Sequence, residues 1–198
     1  VTVTHPKVKK HGSVGRALPG VNIRIMDEKG RHLGHGEEGE ICVRGPNITR
    51  GYHENPAATK ELFTEDGWLR TGDIGVLDED GFLFIRDRMK DMVIVKGLKV
   101  FPAQIEQVIT AHPKVQEAAV IGIPDGAGNE TMKCFCVPKK DSIIDKAEIT
   151  RFIKANLDAY KRPREVEIVG FLPKNTMQKV LKRELLKSEL VKRAGVRI

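Results

Sequence analysis

Apolar and polar positions alternate with period two over Val21-Asn22-Ile23-Arg24-Ile25, and this spacing predicts a strand with one buried face. Ile41-Cys42-Val43 is rich in β-forming residues. Ile74 to Leu77 and Phe82 to Ile85 flank the turn Asp78-Glu79-Asp80-Gly81, which reads as a hairpin. Glycines at 12, 15, 20, 30, 34, 36, 39, 45 and 51 punctuate this region, and only Ala57 to Phe63 suggests a helix. At Arg86-Asp87-Arg88-Met89-Lys90-Asp91 the pattern changes to alternating charge, which marks a boundary. Beyond it come the apolar run Met92 to Val95, a Lys96-Gly97 turn, and a helix opened by Pro102 with Ile105, Val108 and Ile109 on one face. Ala118 to Ile123, Cys134 to Val137 and Val166 to Val169 read as strands. Asp145 and Glu148 resemble a capping box before a helix burying Ile149, Phe152, Ile153 and Leu157, and a last helix is expected from about Lys182 to Val191. The sum is an α+β chain. Residues 1–88 are expected to form a β-rich, distorted barrel-like subdomain, and residues 89–198 a small domain with a short sheet flanked by helices.

Composition narrows the function classes. The 198 residues are 40% hydrophobic and 31% charged with both signs mixed, which excludes collagen-like, solenoid and disordered chains. No apolar run approaches the ~18 residues of a membrane span and no signal sequence opens the chain, so a cytoplasmic location is expected. The net charge of +7 is local: residues 161–198 hold 11 of the 34 Lys+Arg but 4 of the 27 Asp+Glu, and the remainder is balanced. A local excess points to one anionic ligand or a solvated helix rather than to a polyanion partner. The three cysteines lack metal-ligand spacing, and Cys134 and Cys136 share one face of a strand, which favours burial over redox chemistry. His32 and His35 lie in a Gly/Glu-rich loop with no second ligand pair, so no metal site is expected.

Four features could carry chemistry. In Trp68-Leu69-Arg70-Thr71-Gly72-Asp73 a glycine lets the backbone turn, and the acid that follows can accept two hydrogen bonds from a vicinal diol; the plainer reading is a turn acid bonded to nearby N–H groups. Arg88 offers a fork of donors for ribose or phosphate oxygens, or else an exposed ion pair. Lys96-Gly97-Leu98-Lys99 is a tight cationic turn, usable against phosphate and equally an ordinary hairpin loop. In Pro173-Lys174-Asn175-Thr176-Met177-Gln178-Lys179, a loop lysine could deliver a point charge to a phosphate, or be one solvated lysine among many. Ser-His-Asp, paired-carboxylate and Walker arrangements are not evident.

In this order, these motifs resemble the C-terminal part of the adenylate-forming superfamily that includes acyl-CoA synthetases, firefly luciferase and peptide-synthetase adenylation domains. The resemblance runs through Gly12-Ser13-Val14-Gly15-Arg16, Gly39-Glu40-Ile41, Gly51-Tyr52 with Asn55-Pro56-Ala57-Ala58-Thr59, and Arg70-Thr71-Gly72-Asp73. It continues through Asp87-Arg88-Met89-Lys90-Asp91, Val100-Phe101-Pro102 with Ile105-Glu106, Tyr160-Lys161-Arg162-Pro163, and Pro173 to Lys179. It is most similar to bacterial fatty-acyl-CoA ligases, with aryl and short dicarboxylic acid ligases close behind. The resemblance implies ATP, a fatty acid and coenzyme A as substrates, with acyl adenylate formed first and AMP then displaced by the thiol. It implies that Asp73 binds the ribose hydroxyls, that Arg88 reaches ribose or phosphate, and that Lys179 bridges α-phosphate and substrate carboxylate. It further implies that Lys90 is the hinge of a rotating lid and that Lys96, Gly97, Leu98 and Lys99 line the coenzyme A side, with Lys99 near a phosphate.

Gln178 departs from the glycine that the family places before the lysine. At positive φ it would cost on the order of 1 kcal/mol and slow adenylation. Lys96 replaces a frequent serine. The family's phosphate loop, its Mg2+-associated glutamate and its acyl pocket precede the matching region, so the chain is expected to be the last part of a larger enzyme and inactive alone in adenylation. A basic nucleic-acid-binding module and an accessory lid acting on a separate large domain are the alternatives; the tail's few aromatics form no stacking platform, so no nucleic-acid partner is expected.

Overall fold

The computed structural model describes residues 1–5, 7–126 and 129–195, and the chain divides into two compact units, Val1–Lys90 and Asp91–Ile198. In the first unit the period-two pattern becomes β3 of an ordered series: β1 (Thr2–Val3), β2 (Arg16–Ala17), β3 (Asn22–Met26), β4 (Glu38–Arg44), α1 (Pro56–Leu62), β5 (Leu69–Leu77) and β6 (Leu83–Arg88). The strands β3-β4-β5-β6 form an open antiparallel sheet in sequence order, and β1 pairs with β2 separately. Alternation sends Ile25, Ile41 and Val43 to one face, where they bury with Leu83; Met26 and Cys42 on the other face are covered by Trp68. The helix α1 starts where Asn55 Oδ1 accepts from the Ala58 N–H at 3.0 Å, with Pro56 at its first position.

A 3-10 turn, Met89–Asp91, leads into the second unit: β7 (Val93–Val95), β8 (Leu98–Val100), α2 (Pro102–Thr110), β9 (Val115–Pro124), β10 (Glu130–Pro138), α3 (Lys146–Asn156), β11 (Glu165–Ile168) and α4 (Lys182–Arg193). The order β11-β10-β9 places β10 centrally, antiparallel to β9 and parallel to β11. Both faces of this sheet are covered, so its strands are apolar on both sides. Val120, Met132, Cys134 and Cys136 pack with Ile105 and Ile109 of α2 and Ile149 and Ile153 of α3, while Ile121, Phe135 and Val137 meet Leu172 and Leu185 and Leu186 of α4.

Asp145 caps α3 through the Glu148 N–H at 2.7 Å, but only half of a capping box forms. The Glu148 carboxylate turns instead to Lys114 Nζ at 2.9 Å. The architecture is the expected α+β class, its four-stranded sheet open rather than closed into a barrel. Among the described residues no helix is long and apolar enough to cross a membrane.

Candidate functional site

In the first unit, the polar residues of the Arg70–Asp73 segment are set by a break in the β4–β5 ladder. Cys42 pairs with Arg70 and Glu40 with Ile74, so the segment between bulges outward, with Gly72 at φ +70°. Thr71 Oγ1 donates to the Ile41 carbonyl at 2.7 Å and accepts from the Asp73 N–H at 3.1 Å. Glu40, 5% exposed, accepts from the Gly72 N–H at 3.2 Å and from Arg70 Nη1 at 3.0 Å. Thr71 and Glu40 thereby satisfy the turn's backbone and leave the Asp73 carboxylate for other work.

Asp73 stands opposite Arg88 across β5 and β6, and Arg88 Nε donates to Asp73 Oδ1 at 3.1 Å. Their side chains are 28% and 43% exposed. Two features treated separately in the sequence are thus one pair. Among the described residues, the second Asp73 oxygen and the terminal guanidinium nitrogens of Arg88 make no further bond. Such a pair presents acceptors and donors side by side, the complement of a diol next to an anionic group. Glu40 appears in the sequence only as part of the Gly39-Glu40-Ile41 motif, and its role at this turn was missed; a carboxylate directly before the apolar run Ile41-Cys42-Val43 was its signal.

Lys90 lies in the 3-10 turn, exposed. In the second unit, Lys96 and Gly97 close the two-residue loop between β7 and β8 with φ values of +50° and +79°, the signature of a type I′ hairpin turn. Val93 and Val100 anchor this hairpin in the core, while Ile94 and Leu98 are 41% and 50% exposed. Lys96, Leu98 and Lys99 of the hairpin are exposed. Lys179 is exposed on a different loop of the same unit, in which Gln178 sits at φ +63°, the left-handed region. The Lys179 ammonium makes no ion pair or hydrogen bond with the described residues, whereas Lys174 in the same loop pairs with Glu117 at 2.6 Å.

Several cations of the basic tail are paired with carboxylates. Lys182 pairs with Glu106 at 2.8 Å, Arg193 with Glu189 at 2.9 Å, and Lys192 with Glu167 at 3.4 Å. Lys133, 4% exposed on β10, donates to Glu189 at 2.7 Å and lies 2.6 Å from Glu167. Burial works against its ammonium, but the bonds from Glu167 and Glu189 outweigh it and lift Lys133 above its ordinary value. The same pairing lowers Glu167, and it lowers Glu189 against the opposing effect of burial. The cysteines are buried as expected, Cys134 and Cys136 with their sulfurs 3.4 Å apart. Among the described residues no group of three or more His, Cys, Asp and Glu side chains could hold a metal ion.

The family model described as AMP-binding enzyme matches residues 1–53, and the one described as AMP-binding enzyme C-terminal domain matches residues 104–179. A long-chain-fatty-acid–CoA ligase of Salmonella typhimurium is 45% identical over 174 residues, covering 88% of this chain and 31% of that protein. The 4-coumarate–CoA ligase 3 of Oryza sativa subsp. japonica is 39% identical, covering 89% of this chain and 32% of that protein. Among solved structures, ATP-bound MatB from Rhodopseudomonas palustris matches with a TM-score of 0.85 at 42% identity, over 89% of this chain and 35% of that one. The O-succinylbenzoate coenzyme A synthetase of Bacillus subtilis, in complex with AMP, matches with a TM-score of 0.80 at 35% identity, over 89% of this chain and 35% of that one. The chain spans about a third of the length of the relatives it matches.

Proposed function

Because the chain belongs to the adenylate-forming (AMP-binding) enzyme superfamily, we propose that it supplies the ribose-binding strands and the mobile lid of an ATP-dependent acid–CoA ligase. The observation that carries this reading is the Asp73–Arg88 pair, held open to a ligand by Glu40 and Thr71. In the first half-reaction a carboxylate oxygen of the acid bonds to the α-phosphorus of ATP and pyrophosphate departs. Asp73 accepts hydrogen bonds from the ribose hydroxyls while Arg88 donates to ribose or phosphate oxygens. The free ammonium of Lys179 lies between the α-phosphate and the substrate carboxylate and offsets charge as it develops at phosphorus. In the second half-reaction the coenzyme A sulfur bonds to the acyl carbon and AMP departs.

Residues 1–88 belong to the large domain and residues 89–198 form the lid, which turns about Lys90 between the halves. The turn replaces the Lys179 loop by the Lys96–Lys99 hairpin, whose exposed Leu98 suits a pantetheine arm and whose Lys99 suits a phosphate. A fatty acid is the substrate class, supported by the 45% identity to a long-chain-fatty-acid–CoA ligase. The phosphate loop and acyl pocket come from the part of the ligase outside this chain.

Pyrophosphate exchange with ATP and a fatty acid tests the proposal. The 198-residue chain alone is expected to give none. In the complete ligase, Lys179→Ala is expected to slow adenylation by about 10²–10³-fold while thioester formation from supplied acyl adenylate persists. Full adenylation by that variant, or robust exchange by the chain alone, would sink the reading.

A further inference from the structure

The Lys179 loop is a hairpin closed by one side chain. Lys174 and Val180 form an antiparallel bridge, the Asn175 N–H donates to the Lys179 carbonyl at 2.9 Å, and the Gln178 N–H donates to the Asn175 carbonyl at 3.0 Å. Residues 176 and 177 make the turn and Gln178 occupies the left-handed position after it. This is the three-residue hairpin loop with a bulge, a geometry that ordinarily places glycine where Gln178 stands. A glutamine there opposes the loop's shape, because its Cβ crowds the backbone at positive φ.

Asn175 supplies the compensation. Its Oδ1 accepts from the Met177 N–H at 3.0 Å and from the Lys179 N–H at 2.9 Å, so the residue touches Lys179 through both the carbonyl and the amide of its backbone. Met177 is 85% exposed, and Thr176, Gln178 and Lys179 are exposed as well; packing therefore contributes little to the shape of the tip. Hydrogen bonds from Asn175 hold it.

We propose that Asn175 is a positioning residue for Lys179: its side-chain carbonyl clamps the loop, keeps Gln178 in the left-handed conformation, and fixes the backbone from which the lysine side chain departs. This deepens the functional reading above and rests on it. A misplacement of the ammonium by a fraction of the loop's width would weaken its action on phosphorus without changing what the lysine is.

Two measurements on Asn175→Ala, Asn175→Asp and Gln178→Gly test the idea. Amide hydrogen exchange on the 198-residue chain reads the clamp directly. Asn175→Ala is expected to speed exchange at Lys179 by about fivefold or more, and Asn175→Asp, which keeps the acceptor, to restore protection. In the complete ligase, Asn175→Ala is expected to lower the adenylation kcat by about tenfold, with thioester formation from supplied acyl adenylate unchanged. The same substitution is expected to cost less in a Gln178→Gly background, where the loop no longer opposes its own shape.

Unaltered exchange and kcat in Asn175→Ala overturn the proposal, as does an equal fall in both half-reactions, which marks a merely structural residue. Faster exchange with unaltered adenylation removes the positioning role while the reading of Lys179 stands. Full adenylation by Lys179→Ala removes both.

Discussion

Where Asp73 stands depends on a carboxylate that touches no proposed ligand. Glu40 holds Arg70 and the Gly72 N–H at the bulge of β5, and truncating it takes the acceptor from two half-buried donors. Glu40→Ala is expected to cost about 1–3 kcal/mol in urea unfolding and to weaken nucleotide binding by the ligase, while Glu40→Gln keeps the acceptor and loses less. Cys42 reports on the same wall. Burial, with Glu40 adding to it, pushes the Cys42 thiol up to about 12. It therefore stays protonated and unreactive near neutrality, and Cys134 and Cys136 are equally buried. A thiol-specific reagent is expected to find no rapidly reacting cysteine in the native chain and all three after unfolding. At this scale the sequence showed that Asp73 and Arg88 suit a diol and an anion, because that is a property of the residue types. Their pairing was not legible: it depends on an extra residue in β6, Arg86, which shifts the register between the Ile74–Asp87 and Gly75–Ile85 pairs.

At the scale of elements, the apolar periodicities of β3, α2 and α3 were readable, since each buries a face that its own spacing defines, while β9 and β10 were readable as unbroken apolar runs. The last helix was placed correctly over its first ten residues, yet its environment was not. Read alone, α4 looks solvated; in the fold Glu189 is 5% exposed because its partner Lys133 lies 56 positions earlier on β10. No local pattern announces a partner so distant. Removing Lys133 leaves Glu189 with Arg193 as its remaining partner and opens a gap at a closed position, so Lys133→Ala is expected to destabilise the second unit by about 1–3 kcal/mol. The paired change Lys133→Leu with Glu189→Leu is expected to cost distinctly less. Urea midpoints followed by circular dichroism distinguish the two. The half-formed capping box of α3 has the same lesson: Glu148 had the right spacing, but Lys114, brought alongside by the fold, competes for its carboxylate.

For the whole molecule, each unit carries its own core, and in the second unit ion pairs tie α4 to the sheet, Lys192 to Glu167, Arg193 to Glu165 and Glu189 to Lys133. The pH dependence follows from these pairs. Glu167 and Glu189 are held below the ordinary glutamate value of 4.5, so their contribution is present above it and is lost as pH falls. Lys133 is lifted above 10.5, so its contribution is present below that value and is lost as pH rises through the lifted one. The second unit is expected to keep a flat urea midpoint near neutrality and to lose stability on acidification below about pH 4.5; Lys133→Leu with Glu189→Leu is expected to flatten that acid limb.

The central position of β10 has a further consequence for folding. Because Cys134 and Cys136 fill one side and Phe135 and Val137 the other, sliding the strand by one residue exchanges one oily face for another and is only weakly opposed by water. Lys133 breaks that degeneracy. Its ammonium finds Glu167 and Glu189 on one side only; a slipped strand would bury it against the isoleucines of α2 and α3. The ion pair serves as an address, telling an otherwise interchangeable strand which way up it belongs.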